Sequence, residues 1–236
     1  AIRDKAAVGV LSYLVSDMDQ DVRKAAILGI CGLNHDSALT TLRVAMEDPD
    51  PEVRMGVLKA LILLDKETAL THFERSLGAM TADEMARLTG EFKTEFLPFL
   101  KKALESDREW ARTAALRSIA QLPEEAVAFL KETAVINRFP DTRQAALLRL
   151  VRTSPKDAME VAGALLEDSD VDVRVTAIGV FNATGGKAPE RIMAALDSGE
   201  ELVRLAAATA ILKGSGSPAR AIKPEKPAKS GKPTKR

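Results

Sequence analysis

The stretch Asp48–Arg54 places three carboxylates and one guanidinium within seven residues, immediately before an apolar helix pattern. Carboxylates this close together could perform general acid–base chemistry, which uses paired groups whose environments set their pKa values apart. The same residues could instead hold a turn together by capping the helix that follows. The number of times the cluster occurs along the chain separates these two interpretations.

The cluster recurs at a nearly constant step. Close copies span Asp17–Arg23 and Asp168–Arg174, and looser copies span Ser106–Arg112, Phe139–Arg143 and Ser198–Arg204. The arginines that end the copies, called the motif arginines below, are Arg23, Arg54, Arg112, Arg143, Arg174 and Arg204. They are 31, 58, 31, 31 and 30 residues apart, and 58 is about two periods. A catalytic cluster has no reason to recur at a fixed step, whereas a structural unit does.

Each copy of the motif lies between two helix patterns. Small residues follow the arginine at the second and third positions, as in Ala25-Ala26, and a larger apolar residue follows at the fourth, as in Ile27. This spacing predicts an amphipathic helix after the motif, and a similar pattern precedes it. The first helices of seven pairs are predicted at about 3–16, 36–47, 66–78, 94–106, 123–135, 155–167 and 188–197. The second helices are predicted at about 20–33, 51–64, 81–91, 107–121, 140–152, 171–183 and 199–213.

The stretch 65–106 departs from this pattern. It holds four of the seven phenylalanines of the chain, at positions where other units use alanine: Phe73, Phe92, Phe96 and Phe99. We expect these bulky side chains to spread the helix layers or to change the curvature of the stack locally.

The repeated charges have a structural explanation. Acidic residues at the turn can accept hydrogen bonds from free N–H groups at the start of the second helix and complement its positive end. The motif arginine, one turn further on, can reach an acid or a carbonyl of its own unit or of the next one. We therefore predict a ladder of charged contacts along the stack. Its members are Asp19, Arg23, Asp50, Arg54, Arg112, Arg143, Asp170, Arg174 and Arg204.

The chain resembles HEAT repeats in its motif D-P-D-P-E-V-R, which precedes an Ala/Leu-rich helix and recurs with a period of about 30 residues. It is most similar to the short bacterial type first recognised in phycobilisome lyase subunits. The resemblance covers residues 1 to about 213, weakly over 65–106. It implies an all-α solenoid, a right-handed superhelix of about seven antiparallel helix pairs. It also implies that the second helices line the concave face.

Composition separates the predicted solenoid, residues 1–213, from a predicted disordered tail, 214–236. Apolar residues make up 46% of the chain but aromatic residues only 4%, which favours close-packed helices over a β-sandwich. The tail combines four prolines with a charge of +6 and has few apolar side chains. Its cations are Arg220, Lys223, Lys226, Lys229, Lys232, Lys235 and Arg236. They suit nonspecific contact with phosphates or with an acidic protein face, or they solubilise the terminus.

No isolated residue of the chain carries a strong signal for catalysis. HEAT-like enzymes that hydroxylate a modified lysine use paired His-Glu motifs around two irons, but here His35 and His72 are followed by Asp36 and Phe73. We interpret both histidines as surface or turn residues. The stretch 185–187, Gly-Gly-Lys, lacks the remainder of a P-loop and is interpreted as a helix end.

The single cysteine excludes an intramolecular disulfide and a multi-cysteine zinc site. Cys31 is interpreted as a packing residue. We expect neither a cofactor nor a metal. No apolar run is long enough to span a bilayer, and no secretory signal is visible. We expect a cytoplasmic chain that is monomeric as a fragment. Because it begins at Ala1 and not at a methionine, we interpret it as a fragment or a processed chain.

The first functional hypothesis is a non-enzymatic scaffold that binds a protein or peptide on the concave face, as the C-terminal regulatory part of a larger bacterial protein. The positions one and five residues after the motif arginines should project from this face. The predicted contact residues are Trp110, Met55, Lys59, Thr113, Arg117, Gln144 and Leu148. Trp110 replaces an acidic residue of other units, so it is either an exposed anchor or packed against the irregular neighbouring unit. The alternatives are a bilin lyase subunit and a nucleic-acid binder that acts through the tail.

Overall fold

The computed structural model describes residues 5–31, 36–184 and 190–214, and within them the chain forms fourteen α-helices and no strand. The helices are α1 (Lys5–Leu14), α2 (Gln20–Cys31), α3 (Asp36–Ala45), α4 (Pro51–Leu64), α5 (Lys66–Ser76), α6 (Ala82–Phe92), α7 (Leu97–Leu104), α8 (Glu109–Ser118), α9 (Pro123–Ile136), α10 (Pro140–Thr153), α11 (Pro155–Leu165), α12 (Val171–Thr184), α13 (Glu190–Ala194) and α14 (Glu201–Gly214). Of the predicted basic tail, only Gly214 lies within the described residues.

The helices stack as a linear series of pairs. In six of the seven pairs the first helix packs on the second, beginning with α1 on α2 and ending with α13 on α14. Second helices also pack on one another, α2 on α4 and then in sequence from α6 to α14. Neighbouring pairs therefore share one continuous core, as in repeat proteins. The prediction of an all-α solenoid built from seven helix pairs is confirmed.

Small residues of the second helices form the centre of this core. The alanine three positions after the motif arginine is fully or almost fully buried at Ala26, Ala115 and Ala146. The larger residue at the next position, such as Ile27 or Leu147, is also buried. Alternation of small and large apolar side chains lets neighbouring helices interdigitate at the density of a protein interior.

Two aspartates shape each complete turn. The side chain of Asp50 accepts hydrogen bonds from the backbone N–H groups of Glu52 (2.8 Å) and Val53 (3.2 Å), which caps α4. Asp48, two residues earlier, accepts one from the N–H of Asp50 at 2.8 Å. Asp170 caps α12 in the same way, and Asp19 accepts from the N–H of Asp21. The expected capping role of the repeated acids is thus present in the structure.

Every motif arginine closes its own turn. Its Nη1 donates to the backbone carbonyl six residues earlier, at 2.9 Å for Arg23 and 2.8 Å for Arg143. The acceptors, in chain order, are the carbonyls of Asp17, Asp48, Ser106, Asn137, Asp168 and Ser198. One guanidinium group thereby occupies backbone acceptors that the turn would otherwise leave to solvent.

Three of the arginines also reach the next pair. Arg23 binds both carboxylate oxygens of Asp48, at 2.8 and 3.0 Å, and Arg143 binds those of Asp168, at 2.9 and 2.7 Å. Arg112 donates to Asp141 at 2.5 Å and to the neighbouring Thr142 hydroxyl at 2.9 Å. These three contacts are called the joints below.

The joints differ from the predicted ladder in their acidic members. Asp19, Asp50 and Asp170 cap helices. Two joints use the aspartate that begins the next turn, Asp48 or Asp168, and the Arg112 joint uses Asp141, two positions before the next motif arginine. The guanidinium groups of Arg54, Arg174 and Arg204 donate to carbonyls of their own turns. Where Asp48 and Asp168 stand in their turns, the turns after Arg54 and Arg174 hold Ala79 and Ser198.

The third pair is irregular, as the sequence predicts. Met85, 31 residues after Arg54, stands where the pattern calls for an arginine and is fully buried. Here α5 packs mainly on α4 and α7, while α6 packs on α8. The rings of Phe73, Phe96 and Phe99 fill the space beside α5, with centroids 5.0 to 5.7 Å apart. An aromatic cluster replaces the charged joint in this part of the stack.

Removing one side of a buried joint should destabilise the chain strongly. We expect Arg143→Ala to lower the free energy of unfolding by about 3–5 kcal/mol, because it leaves the carboxylate of Asp168 buried and unpaired. The matched control is Arg204→Ala, which removes only hydrogen bonds to exposed carbonyls and should cost about 1 kcal/mol. The free energies of unfolding of both variants are measured by urea titration, with circular dichroism as the signal. Equal effects of the two changes would contradict the joint.

The Arg143–Asp168 joint should also make stability depend on pH. Burial alone would raise the pKa of Asp168, but hydrogen bonds from Arg143 and from the Asp170 N–H outweigh it and hold the pKa below its ordinary value. A lowered folded pKa gives stability that is present above the unfolded value of about 3.9 and is lost as pH falls through the folded pKa. We expect Asp168→Asn to be less stable than the parent at pH 7 and the two to converge in acid. A constant difference down to pH 2 would refute this.

Candidate functional site

The second helices form the more closely set layer of the stack. They pack on one another at nearly every junction, whereas first helices do so between α1 and α3, α5 and α7, and α9 and α11. In a curved stack the closer layer lies on the inner side, and we infer from this that the second helices line the concave face. We call the solvent-exposed side of the second helices the inward face.

Two rows of side chains make up the inward face. The row five positions after the motif arginine includes Leu28 (71% exposed), Leu148 (54% exposed) and Arg117. The row two positions before the arginine includes the exposed acids Asp21 and Glu52 and recurs in later pairs. Since these rows lie on the same side of each helix, apolar, basic and acidic groups share one surface.

The row one position after the motif arginine does not belong to this face. Met55 is only 6% exposed, and Thr113 and Gln144 are half-buried. This row turns toward the following second helix, as α14 shows: it is followed by no described helix, and its equivalent residue Leu205 is 63% exposed. The prediction of Met55 as a contact residue is corrected to a core position.

Trp110 belongs to the row two positions before the motif arginine, but it is half-buried and packs against the core. The structure therefore favours packing beside the irregular pair over a fully exposed anchor. Lys59, in the row of Leu28, pairs with Glu91 on α6 at 2.5 Å, so its charge is already compensated. Of the predicted contact residues, Arg117 and Leu148 are the ones that face solvent.

Three arginines come together on the inward face, toward the C-terminal ends of two neighbouring second helices. Arg117 lies on α8, and Arg149 and Arg152 lie on α10, which packs against α8. Burial lowers the pKa of Arg149, and the positive charges of Arg117 and Arg152 lower it further. Within the described part of the chain, none of the three guanidinium groups has a hydrogen-bond acceptor or an acidic partner. We call this group the arginine cluster.

Sequence reasoning identified only Arg117 of this cluster, although the sequence held a signal for Arg149. Arg149 lies six positions after its motif arginine. The equivalent residues of the other units are uncharged and compact: Gly29, Ala60, Ser118, Val180 and Ala210. A charged residue at a position that otherwise packs between helices breaks the local rule, and such departures mark functional or strained sites.

The two candidate catalytic residues that the structure describes occupy structural positions. His72 is buried in α5, not at the surface as interpreted from sequence; its Nε2 lies 2.9 Å from the Ser76 hydroxyl, and burial lowers its pKa. The thiol of Cys31 donates to the carbonyl of Ile27, and burial raises its pKa. His35 and residues 185–187 lie outside the described residues.

A groove of about 460 Å³ lies on the other layer, between α5, α7 and α9. Its lysines are already paired, Lys101 with Glu132 at 2.7 Å and Lys102 with Glu74 at 3.0 Å. In the described ranges, no three histidine, cysteine or acidic side chains are grouped as metal ligands would be. No described helix has both the length and the apolar character required to span a membrane.

Stacked helix pairs that each contact their neighbours define an α-solenoid repeat protein. Residues 7–89 match the family model described as HEAT repeats, which confirms the resemblance inferred from the motif. No protein with a curated description matches the sequence.

Several solved structures are similar in fold. Human deoxyhypusine hydroxylase is 15% identical, with 89% of this chain and 96% of that chain covered and a TM-score of 0.37. The CpcE–CpcF complex of phycocyanin lyase from Nostoc is 18% identical, with coverage of 93% and 79% and a TM-score of 0.31. The HEAT-like repeats protein of the archaeon Thermococcus onnurineus is 14% identical, with coverage of 90% and 88% and a TM-score of 0.36. Likenesses of this size do not extend to activity or partners.

The two interpretations of Trp110 predict different stabilities. We expect Trp110→Ala to lower the free energy of unfolding by about 2 kcal/mol, less than for a fully buried tryptophan, because part of the ring lies in solvent. Leu148→Ala is the control at an exposed position and should change stability by about 0.5 kcal/mol or less. Unfolding in urea measures both variants. An unchanged stability for Trp110→Ala would restore the exposed-anchor interpretation.

Proposed function

We propose that this chain is a non-enzymatic scaffold that binds a segment of a partner protein along the inward face. The observation that supports this most is the set of leucines exposed there, Leu28, Leu63 and Leu148. More than half of each side chain is exposed, so these leucines contribute little to packing within the chain. A row of large apolar groups exposed along one face suits a binding surface better than single scattered residues do.

The charges on the same face indicate which charges the partner carries. Acidic residues lie where the second helices begin, as at Glu52 and Asp172, and the basic residues Arg117 and Arg152 lie where α8 and α10 end. A segment that lies along the apolar middle of the face meets a negative edge on one side and a positive edge on the other. We propose a peptide of mixed charge as the partner, since complementary edges fix its orientation.

Long solenoid surfaces bind through several weak contacts distributed over neighbouring repeats. This suits a partner segment that spans α2 to α10. Cys31, the single thiol, suits a reducing compartment such as the cytoplasm. A bilin lyase subunit and a nucleic-acid binder acting through the tail remain the alternatives that the sequence left open, and no described residue favours either.

Placing a charge at an exposed leucine of the inward face should reduce partner capture. We expect Leu28→Lys and Leu148→Lys each to reduce the amount of partner recovered from a native lysate about tenfold, by burying an unpaired ammonium group in the interface. The matched control is Val135→Lys, at an exposed apolar position on first helix α9. Partner amounts are compared by quantitative mass spectrometry after pull-down.

Three outcomes would contradict the proposal. Equal capture by all variants would remove the inward face as the binding surface. Recovery of nucleic acid alone, lost when residues 215–236 are deleted, would move the function to the tail. Visible absorbance after co-expression with a phycobiliprotein and a bilin would favour the lyase subunit.

A further inference from the structure

We propose that the arginine cluster, Arg117, Arg149 and Arg152, is a subsite that binds the carboxylates of a short acidic segment in the partner protein. The inference rests on the proposed scaffold function and specifies part of its partner. Guanidinium groups bind carboxylate and phosphate oxygens through paired N–H donors, so clustered arginines suit an oxyanion.

The first support is the lack of internal partners. Among the described arginines, all but Arg108 and the cluster itself donate from the guanidinium group to an acceptor in the chain. The surface arginines among them include Arg75 and Arg87, which pair with glutamates of the neighbouring pair at 2.9 and 3.2 Å. The fold thus pairs exposed arginines nearly everywhere except at the junction of α8 and α10.

The second support is the position of Arg149. It stands on α10, which packs on α8, at a position where other units place the buried residues Ala60 or Ser118. A half-buried cation near two others lowers the stability of the protein without its ligand. Like charges repel each other, and burial removes part of the hydration of the guanidinium. A local cost of this kind is expected where the missing opposite charge comes from a ligand.

The third support concerns the class of ligand. Asp172, an exposed acid at the start of α12, lies on the same face as the cluster and has no cationic partner among the described residues. A long polyanion laid across the face would meet this carboxylate and be repelled. A short acidic segment reaches the cluster alone, with Leu148 beside it for an apolar neighbour.

The first test needs no ligand. Arg149→Ala restores a residue that other units use at this position and removes the repulsion, so its melting temperature should exceed that of the parent by about 2 °C. Arg87→Gln is the matched control, since it removes an exposed arginine of the same face that already pairs with Glu52. Its melting temperature should fall slightly or stay constant. A lower melting temperature for Arg149→Ala would show that Arg149 packs structurally and would overturn the proposal.

The second test uses hexaglutamate as the probe on the full chain, with sodium chloride at equal ionic strength as the reference. We expect hexaglutamate to raise the melting temperature of the parent and of Arg87→Gln by about 3 °C, and to leave Arg149→Ala and Arg117→Gln unchanged. Because the tail is the same in all four proteins, differences among them report on the cluster. Equal shifts in all four would assign the effect to the tail and overturn the subsite.

Further probes separate the possible sources of the anion. If a phosphoserine peptide raises the melting temperature far more than hexaglutamate does, the group that the cluster binds is a phosphate and not a carboxylate. A shift with inorganic phosphate but with neither peptide would mean a simple anion site. If the parent binds single-stranded oligothymidylate and Arg149→Ala does not, the partner is a nucleic acid and not a protein. Each of these results would overturn the carboxylate assignment.

The subsite and the scaffold can fail separately. If partner capture from lysate depends on Leu148 but not on Arg149, the scaffold stands and the subsite is wrong. If hexaglutamate binding depends on Arg149 while Leu28→Lys and Leu148→Lys leave capture unchanged, the cluster binds acid and the scaffold proposal is wrong.

Discussion

The rest of the structure depends on the hydrogen bonds of the motif arginines, which hold six turns in shape and connect three of them to the next pair. The Nη1 group of the arginine satisfies a carbonyl of its own turn in all six units, and at three places the rest of the guanidinium binds a side chain of the next pair. Planarity and a fork of five donors let arginine do both at once, which lysine could not. These directional bonds add to the interdigitated apolar packing and fix the register of one pair on the next at the three places where they form.

This use of charge changes how the remaining charges are interpreted. Apart from the pair of Lys24 with Asp21, the ion pairs among the described residues join neighbouring helix pairs, as between Lys131 and Asp157. Charges that belong to such contacts say little about function. The informative charges are the uncompensated ones, and the arginine cluster stands out on that ground. The face it belongs to also exposes Leu28, Leu63 and Leu148, so unpaired cations and large apolar side chains share one surface, which suits a partner.

The sequence predicted the helix pairs well because a fixed period, small residues after each arginine and turn acids all point to the same element boundaries. It could not tell which aspartate meets the arginine, because Asp48 and Asp50 are chemically alike and only their places in the turn assign one to the joint and the other to the cap. Met55 was misplaced because a helix residue near the edge of the exposed side is covered only once the next helix is in position. The arginine cluster was largely missed because Arg117 and Arg149 are 32 residues apart and meet only through the packing of α8 on α10.

Native-state hydrogen exchange, measured helix by helix, tests the role of the joints most directly. Two joints in succession link the pairs from α7 to α12, whereas buried Met85 and the aromatic cluster interrupt the series at the third pair. Helices α7 to α12 should therefore open together and most slowly, with the boundary of this cooperative unit at α5 and α6. Arg143→Ala should split that unit between α10 and α12. Uniform protection along the whole stack, or a unit left intact by Arg143→Ala, would show that apolar packing alone couples the repeats.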